Sequence, residues 1–334
     1  MKAIALLSGG LDSTLAAKMV LEQGIELEAL NFITVFCTCT NRGETCLASQ
    51  KAVNTLGIPL KVFNVSEEYL DVVKHPKHGY GSHMNPCIDC RIFMLKKAKA
   101  YMEEIGAVFI VTGEVLGQRP MSQRKDAMRL IEKEAGLEGL ILRPLSANVL
   151  HITIPEREGW VDREKLLSIQ GRSRKPQIKL AEVFGIHDYP CPAGGCLLTD
   201  PGFSRRMKDL IQYGPNFSLN DVHLLKTGRH FRLSPTIKLV VGRNEEENQK
   251  IETFSREDDI LLKTANYPGP LSLLRGGANG GEIEKAASIT ARYSKARDLD
   301  EVEITFKKVQ DESYQSISVS SITDEKVKDL MINE

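Results

Sequence analysis

The sequence contains no apolar stretch that approaches the ~20 residues required for a membrane-spanning helix. It also has no net charge, because 44 Lys and Arg residues balance 44 Asp and Glu residues. A neutral chain lacks a global field that attracts nucleic acid, so RNA binding would depend on local basic surfaces. The apolar run near the N-terminus lacks the layout of a cleavable signal, since a polar motif follows it directly. We therefore expect a cytoplasmic protein with no membrane contact.

The first motif lacks the lysine that a Walker loop places after its last glycine. Residues 8–13 read Ser-Gly-Gly-Leu-Asp-Ser, between an apolar run and a helical pattern. Glycines allow the backbone to approach an anion closely, and the first N–H groups of a helix point towards it. Asp12 and Ser13 can cap the helix or contact a metal. The segment predicts a pyrophosphate-binding turn formed by Ser8, Gly9, Gly10, Leu11, Asp12 and Ser13.

This turn resembles the PP-loop of the ATP pyrophosphatase superfamily, whose members split ATP between the α and β phosphates and adenylate a substrate. The resemblance implies ATP and Mg²⁺ as ligands and Asp12 as a catalytic residue. It also implies that Asn31 and Phe32, at the end of the second strand, receive the adenine, and that Gly113 faces the nucleotide. An ordinary strand-to-helix turn is the alternative for the motif, and a core position is the alternative for Phe32.

The first half of the chain alternates between strand-like and helical patterns. Such alternation predicts an α/β fold, a doubly wound parallel sheet with crossover helices, which the resemblance makes adenine nucleotide alpha hydrolase-like. From about residue 201 the strands become shorter and more polar. We therefore expect a PP-loop domain over residues 1–205 and a smaller α+β domain over residues 206–334.

Seven cysteines in a cytoplasmic chain indicate metal or redox chemistry more often than disulfides. Cys87 and Cys90 form a C-x-x-C before a helical pattern, and the helix N-terminus together with Arg91 is expected to lower the pKa of both thiols. One distant cysteine, Cys191 or Cys196, would complete a three-thiolate site. A closed structural zinc site with all four cysteines is the alternative.

Residues 85–90 are similar to the Asn-Pro-Asp-x-x-Cys segment of bacterial tRNA 2-thiouridylases, and residues 194–198 resemble their second cysteine turn. Cys90 and Cys196 match the two sulfur-handling cysteines, which implies catalytic roles for both. Cys87 stands where those enzymes have aspartate, and this arrangement resembles the iron–sulfur tRNA thiolases. That resemblance implies a 4Fe-4S cluster held by Cys87, Cys90 and Cys196, with one iron open to sulfide.

Other candidate residues have no assigned role. Cys37, Cys39 and Cys46 follow the second strand and could bind a second cluster or zinc, or serve as small buried residues. Arg119 and Arg143 are candidate anion contacts, with solvated surface positions as the alternative.

The C-terminal part contains a helical pattern near residues 282–297 that places Lys285, Arg292 and Lys295 on one face. Residues 220–310 resemble the RNA-binding module of NFACT-type proteins. The resemblance and the basic face predict an RNA-facing helix packed on a sheet.

The combined prediction is an ATP-dependent tRNA uridine thiolase, a sulfurtransferase that releases AMP and pyrophosphate and carries an appended RNA-binding domain. The expected partners are tRNA, a sulfur donor (sulfide or a persulfide carrier) and a second copy in a homodimer. A PP-loop enzyme that adenylates a small molecule for sulfur or amide transfer is one alternative. An RNA-binding module without catalysis is another.

Overall fold

The computed structural model describes residues 1–38, 46–189 and 195–332, apart from the side chains of residues 46 and 47. The chain divides into two compact units, Met1–Thr199 and Asp200–Glu334. The boundary expected at residues 205 and 206 falls within the first helix of the second unit. Within the described ranges, no helix is both long and apolar enough to cross a bilayer.

The first unit contains a five-stranded sheet and its surrounding helices. Its strands are β1 (Lys2–Leu6), β2 (Glu26–Ile33), β3 (Leu60–Asn64), β4 (Ile110–Thr112) and β5 (Ile141–Leu142). Its helices are α1 (Leu11–Leu21), α2 (Cys46–Leu56), α3 (Ser66–Lys74), α4 (Cys87–Glu104), α5 (Lys125–Ala135), α6 (Ile154–Arg157) and α7 (Lys175–Val183), with short 3₁₀ turns at Ala147–Val149, Arg163–Lys165 and Leu197–Thr199.

All strand pairs in this sheet are parallel, and the strand order is β3-β2-β1-β4-β5. The order reverses at β1, which pairs with both β2 and β4. Ligands of doubly wound sheets bind beyond the carboxyl ends of the strands at such a reversal. The predicted α/β fold is confirmed, and the loops that follow β1 and β4 lie at the position where a ligand is expected.

The central strand β1 is covered on both faces, whereas the edge strand β3 is largely exposed. Ala3 and Ala5 pack in an apolar cluster with α1, whereas Ile4 between them packs in a second cluster with α4 and α5. This follows from the twofold alternation of side chains along a strand. Burial on both faces explains why the strands read as continuous apolar runs.

The second unit contains an antiparallel sheet. Its strands are β6 (Arg229–Ser234), β7 (Ile237–Val241), β8 (Ile260–Thr264), β9 (Ser272–Arg275), β10 (Val302–Lys308) and β11 (Gln315–Val319). Its helices are α8 (Pro201–Tyr213), α9 (Leu219–Leu224), α10 (Glu245–Thr253), α11 (Gly280–Arg292) and α12 (Asp324–Leu330).

The six strands lie in the order β11-β10-β8-β9-β7-β6. Ala286, Ala287 and Ile289 of α11 pack on one face of the sheet, and Leu224 and Ile251 pack on the other. The smaller α+β domain expected from the sequence is therefore confirmed.

Candidate nucleotide and thiol site

The two glycines after β1 have different structural roles. Gly9 has φ +75°, and a Cβ atom there would lie 2.3 Å from the carbonyl carbon of Ala48. Gly10 has φ −78°, and its nearest neighbour to a Cβ atom would be the Ser8 hydroxyl at 3.5 Å. The fold therefore requires glycine at position 9, because a side chain there would overlap the Ala48 backbone. At position 10 a Cβ atom would meet no close neighbour, so the absence of a side chain leaves open space beside the turn.

The N-terminus of α1 has no side-chain cap. The Ser13 and Thr14 hydroxyls donate to the Gly10 carbonyl at 2.9 and 3.1 Å. The first N–H groups of an α-helix have no partner within it. Together with the helix dipole, these groups form an anion-binding end at the turn between Gly9 and Ser13.

Asp12 lies at this end with one oxygen satisfied. Its Oδ2 accepts a hydrogen bond from Gln118 Nε2 at 2.9 Å, whereas its Oδ1 is buried without a partner. A buried carboxylate oxygen without a partner is costly. This oxygen therefore has the chemistry of a cation ligand. Gln118 was not among the predicted site residues, and this contact joins side chains that are 106 residues apart in the sequence.

Gly113 packs against the backbone of the phosphate-binding turn. It follows β4, and a Cβ atom there would lie 2.4 Å from the Ser13 nitrogen and 2.5 Å from the Asp12 carbonyl carbon. The backbone after β4 thus packs directly on the first turn of α1. Only glycine permits this approach without displacing the helix.

The two candidate adenine contacts lie near the carboxyl end of β2. Asn31 Nδ2 donates to the Leu7 carbonyl at 2.7 Å, so the side chain joins the ends of two neighbouring strands. The Phe32 and Phe63 ring centroids are 5.8 Å apart, and Phe32 packs on the α4 side of the core. Phe32 therefore has the core contacts that its alternative interpretation predicts.

A buried ion-pair network follows Gly113. Glu114 Oε1 lies 3.1 Å from Arg91 Nε, and its Oε2 lies 3.0 Å from Arg143 Nε. Burial raises the pKa of Glu114, but the two guanidinium groups outweigh this effect and leave the pKa below its ordinary value. Arg143 also pairs with Glu132 and is only 4% exposed. The candidate role of Arg143 as an anion contact is wrong, because both carboxylates already bind it inside the unit, and it is not a surface residue either.

This network connects the two halves of the site. Arg91 follows Cys90 on α4, and Glu114 follows Gly113 in the turn beneath α1. The ion pair between Arg91 and Glu114 therefore fixes the cysteine helix relative to the phosphate-binding turn.

The three predicted cysteines lie in one region of the first unit. Cys87 is the first residue of α4, and Cys90 lies one turn further, where its N–H donates to the Pro86 carbonyl at 2.8 Å. Negative charge on either thiol would raise the pKa of Cys196. The segment carrying Cys196 is held near α4 by the Met84 N–H, which donates to the Leu198 carbonyl at 3.1 Å.

The alternative ligand Cys191 lies outside the described residues. The same holds for Cys39 and for the side chain of Cys46. Within residues 1–38, 46–189 and 195–332, no three Cys, His, Asp or Glu side chains are grouped to hold a metal ion.

The expected lowering of the cysteine pKa values is wrong. Burial raises the pKa of Cys196 to about 12. Burial also raises the pKa of Cys87 and of Cys90, although Arg91 acts in the opposite direction on both. The sequence identified the neighbouring cation correctly, but it could not show how deeply the thiols are buried.

Two further residues lie near these thiols: Cys37, a candidate without an assigned role, and Tyr69, which the sequence did not indicate. Cys37 forms an isolated antiparallel bridge with Cys196. Tyr69 of α3 is buried, and its hydroxyl forms a hydrogen bond with Cys90 that favours the Cys90 thiolate. The Tyr69 ring packs 5.9 Å from Phe36 and 5.8 Å from Phe93, measured between centroids. From sequence, Tyr69 reads as an ordinary apolar position of a helix.

In the second unit, the predicted basic face of α11 is wrong. The helix ends at Arg292, so Lys295 lies beyond it. Arg292 Nε donates to Asp324 Oδ1 at 3.0 Å, so its charge is already paired. Of the three predicted cations, only Lys285 is an exposed residue of the helix.

A different basic surface lies on strands β8 and β10 and directly before β11. The Lys263 Nζ and Lys307 Nζ atoms lie 4.9 and 5.1 Å from the ring centroid of Tyr314. Tyr314 is 47% exposed. We call these three residues the Tyr314 surface. An exposed ring with flanking cations is suited to a stacked base beside a phosphate.

Comparison with known proteins divides the chain in the same way. Residues 1–151 match the family model described as thiamine biosynthesis protein (ThiI). Residues 228–331 match the model of the NFACT protein RNA binding domain. The resemblances inferred from the sequence motifs are confirmed for these two regions.

Individual relatives match part of the chain. A probable tRNA sulfurtransferase of Lysinibacillus sphaericus (strain C3-41) is 32% identical over 144 residues, which are 43% of this chain and 34% of the relative. A tRNA-specific 2-thiouridylase MnmA of Marinobacter nauticus (strain ATCC 700491 / DSM 11845 / VT8) is 28% identical over 229 residues, or 64% of this chain and 55% of the relative. The chain thus spans between a third and about half of these relatives.

Among solved structures, the chain is similar to a 4-thiouridine synthetase–RNA complex with bound ATP. The sequence identity is 27% and the TM-score is 0.36, over 44% of this chain and 37% of that chain.

Proposed function

We propose that this protein is a tRNA sulfurtransferase that uses ATP to thiolate a uridine. One observation carries the proposal: an uncapped helix N-terminus with a buried, unpartnered Asp12 oxygen is joined to a group of thiols through the Arg91–Glu114 ion pair. Adenylation needs the first feature and sulfur transfer needs the second. The names of the relatives support the same combination.

In the proposed first step, the turn from Ser8 to Ser13 binds the pyrophosphate part of ATP. The N–H groups of α1 would stabilise its negative charge, and Asp12 Oδ1, which is buried without a partner, would hold Mg²⁺. Gln118 fixes the Asp12 carboxylate through Oδ2, which leaves Oδ1 available. The uridine carbonyl oxygen attacks the α-phosphorus, and pyrophosphate leaves.

In the proposed second step, a sulfur atom attacks the activated carbon, and AMP leaves with the original oxygen. The sulfur arrives as sulfide or as the terminal sulfur of a persulfide on Cys196. In the persulfide route the base is first joined to Cys196 by a mixed disulfide. The Cys90 thiol then displaces the base as thiouridine, and an external dithiol reduces the resulting Cys90–Cys196 disulfide. Cys87, Cys90 and Cys196 are the residues that would hold a 4Fe-4S cluster, because thiolates are its usual ligands. When bound, such a cluster would supply an iron atom with an open position for sulfide. The base must leave its stack to reach the site.

The test of adenylation is the formation of AMP and pyrophosphate from ATP with and without tRNA. We expect turnover that depends on tRNA, and thiolated uridine in the digested product by mass spectrometry. Turnover with a small molecule and no tRNA would favour the alternative class of PP-loop enzymes. tRNA binding without any AMP formation would favour a binding module.

Asp12→Ala should abolish AMP formation while the protein stays folded, because Asp12 Oδ1 has no structural partner. Asp126→Ala is the matched control, since Asp126 also lies in the first turn of a helix of this unit but is exposed. Normal turnover by the Asp12→Ala enzyme would remove the assignment of the phosphate-binding turn.

The test of the sulfur step separates it from adenylation. Replacing Cys87, Cys90 or Cys196 by serine should abolish thiolation but largely preserve AMP formation, because the phosphate-binding turn contains none of them. Iron and sulfide analysis of anaerobically purified protein should show a 4Fe-4S cluster that each replacement removes. One bound zinc ion and no iron would instead support a structural site.

The second unit is proposed to bind tRNA through the Tyr314 surface. Tyr314→Ala should weaken tRNA binding, and Lys263→Gln should reduce the slope of log K against log salt by about one. Tyr267→Ala is the matched control, because Tyr267 is also 47% exposed. Equal losses for both tyrosine variants would contradict a specific role for the Tyr314 surface.

A further inference from the structure

Cys37 and Cys196 are directly opposite each other in a short antiparallel bridge of the first unit. The Thr38 N–H donates to the Gly195 carbonyl at 3.3 Å, and the Leu197 N–H donates to the Phe36 carbonyl at 2.8 Å. Both hydrogen bonds therefore flank the cysteine pair and neither joins the two cysteines. This is the non-hydrogen-bonded type of antiparallel pair.

That pair type brings side chains closest together. Its Cα atoms are typically about 4.5 Å apart, and its two side chains project from the same face. Disulfides form between cysteines whose Cα atoms lie roughly 4.4–6.8 Å apart. The backbone geometry thus suits a cross-strand disulfide between Cys37 and Cys196 with little backbone movement.

A second observation supports the closeness of these two sulfurs. Negative charge on Cys37 raises the pKa of the Cys196 thiol and of the Cys90 thiol. The Cys37 sulfur also accepts a hydrogen bond from the Thr34 N–H at 3.3 Å, which fixes its position near the end of β2. Cys90, in contrast, lies on helix α4, and no backbone bridge joins it to the Cys196 segment within the described residues.

We propose that Cys37 and Cys196 form a reversible disulfide, which makes Cys37 a functional thiol of this site. The reaction is an exchange with a small-molecule disulfide such as oxidised glutathione. One cysteine sulfur attacks it and releases one glutathione thiol. The second cysteine sulfur then displaces the second glutathione, so both cysteines are oxidised and two thiols are released with the two cysteine protons.

The consequence for sulfur transfer rests on the proposed function. While Cys196 is joined to Cys37, its sulfur cannot bind a metal or carry a persulfide. The phosphate-binding turn contains neither cysteine, so adenylation stays active. The disulfide therefore switches off sulfur insertion separately from ATP use.

The experiment is disulfide mapping of the full-length reduced protein after incubation in glutathione buffers of defined ratio. Samples are alkylated and digested, and the linked peptides are identified by mass spectrometry. We expect a Cys37–Cys196 linkage and the loss of two free thiols per chain, both reversed by dithiothreitol. Cys39→Ser and Cys90→Ser should leave the linkage unchanged, whereas Cys37→Ser should abolish it.

A Cys196 linkage to Cys90 or Cys87, or a Cys196 that stays reduced in fully oxidising buffer, would overturn the proposal. The wild-type map alone decides this, so the result does not depend on the folding of any variant. The outcome is also independent of the proposed enzymatic function. If the protein thiolates tRNA but forms no Cys37–Cys196 disulfide, only the proposed disulfide is refuted. If the disulfide forms but the protein produces no AMP, only the proposed enzymatic function is refuted.

Discussion

Replacing each glycine of the phosphate-binding turn should separate folding from ligand binding. Gly9→Ala places a Cβ atom 2.3 Å from the Ala48 carbonyl carbon and forces an L-residue to φ +75°. Gly10→Ala places a Cβ atom no closer than 3.5 Å to its nearest neighbour, at φ −78°. The methyl group of Gly9→Ala would overlap the Ala48 backbone, whereas the methyl group of Gly10→Ala would occupy only space that a ligand would fill.

The magnitudes follow from these geometries. A left-handed conformation costs an L-residue about 1–2 kcal/mol, and the overlap with Ala48 adds to this cost because backbone atoms must move. We expect Gly9→Ala to lower the free energy of unfolding of the first unit by at least about 2 kcal/mol. For a unit of this size, that corresponds to a fall of at least about 4 °C in its unfolding temperature. Gly10→Ala should cost less than about 1 kcal/mol, the ordinary loss at an N-cap.

Two measurements check this prediction. Thermal unfolding reports stability, and isothermal titration with pyrophosphate or ATP reports binding. Gly10→Ala should lower the unfolding temperature by less than about 4 °C but bind pyrophosphate at least tenfold more weakly. Wild-type affinity in the Gly10→Ala protein would show that the phosphate does not bind at this turn. A Gly9→Ala protein of unchanged stability would refute the steric reasoning.

Two further predictions concern buried charges. Burial lowers the pKa of Lys238 to about 8 despite its contact with Asp209, so the unfolded chain binds more protons above that pH. The free energy of unfolding should therefore rise by up to about 3 kcal/mol between pH 8 and about 10.4. The Lys238→Met protein should not show this rise. The same pH dependence in the wild-type and Lys238→Met proteins would contradict the prediction. Glu114→Gln should destabilise the first unit by ~3–5 kcal/mol in denaturant titrations, because Arg91 and Arg143 lose a buried partner. Because the pKa of Glu114 is lowered in the folded protein, this carboxylate contributes to the free energy of unfolding above pH ~4.3. That contribution is lost as the pH falls through the folded-state pKa, and the Glu114→Gln protein should lack it. Wild-type stability of this variant at neutral pH would refute the prediction.

The parts of the site that the sequence predicted are those set by local chain geometry. A strand, two glycines and a helix N-terminus lie within a few residues of one another, so the turn around Gly9 could be recognised without any long-range contact. The same holds for Cys87 and Cys90, whose spacing places them on adjacent turns of one helix. The doubly wound sheet was predictable because burial on both faces produces apolar strands without alternation.

The parts that were missed depend on contacts between distant segments. Gln118 reaches Asp12 across 106 residues, and Cys37 meets Cys196 only because two loops pair. The error over Arg143 has the same origin, since its two carboxylate partners come from different elements. Burial decided the cysteine pKa values, and a neighbouring arginine in the sequence gives no measure of burial.

The turn after β4 contacts both the phosphate-binding turn and the helix that carries Cys87 and Cys90. Gly113 packs against the backbone of Asp12 and Ser13, so the position of this turn sets the position of the helix N-terminus. The next residue, Glu114, binds Arg91, which follows Cys90. A shift of this turn would therefore move the anion-binding end of α1 and the first turn of α4 together. Glu114 is buried and is also bound by Arg143, whereas the Arg91 side chain is 33% exposed, so solvent screens the Arg91–Glu114 pair only in part. The ion pair therefore links the spacing between the phosphate-binding turn and the first turn of α4 to the folded core of the unit.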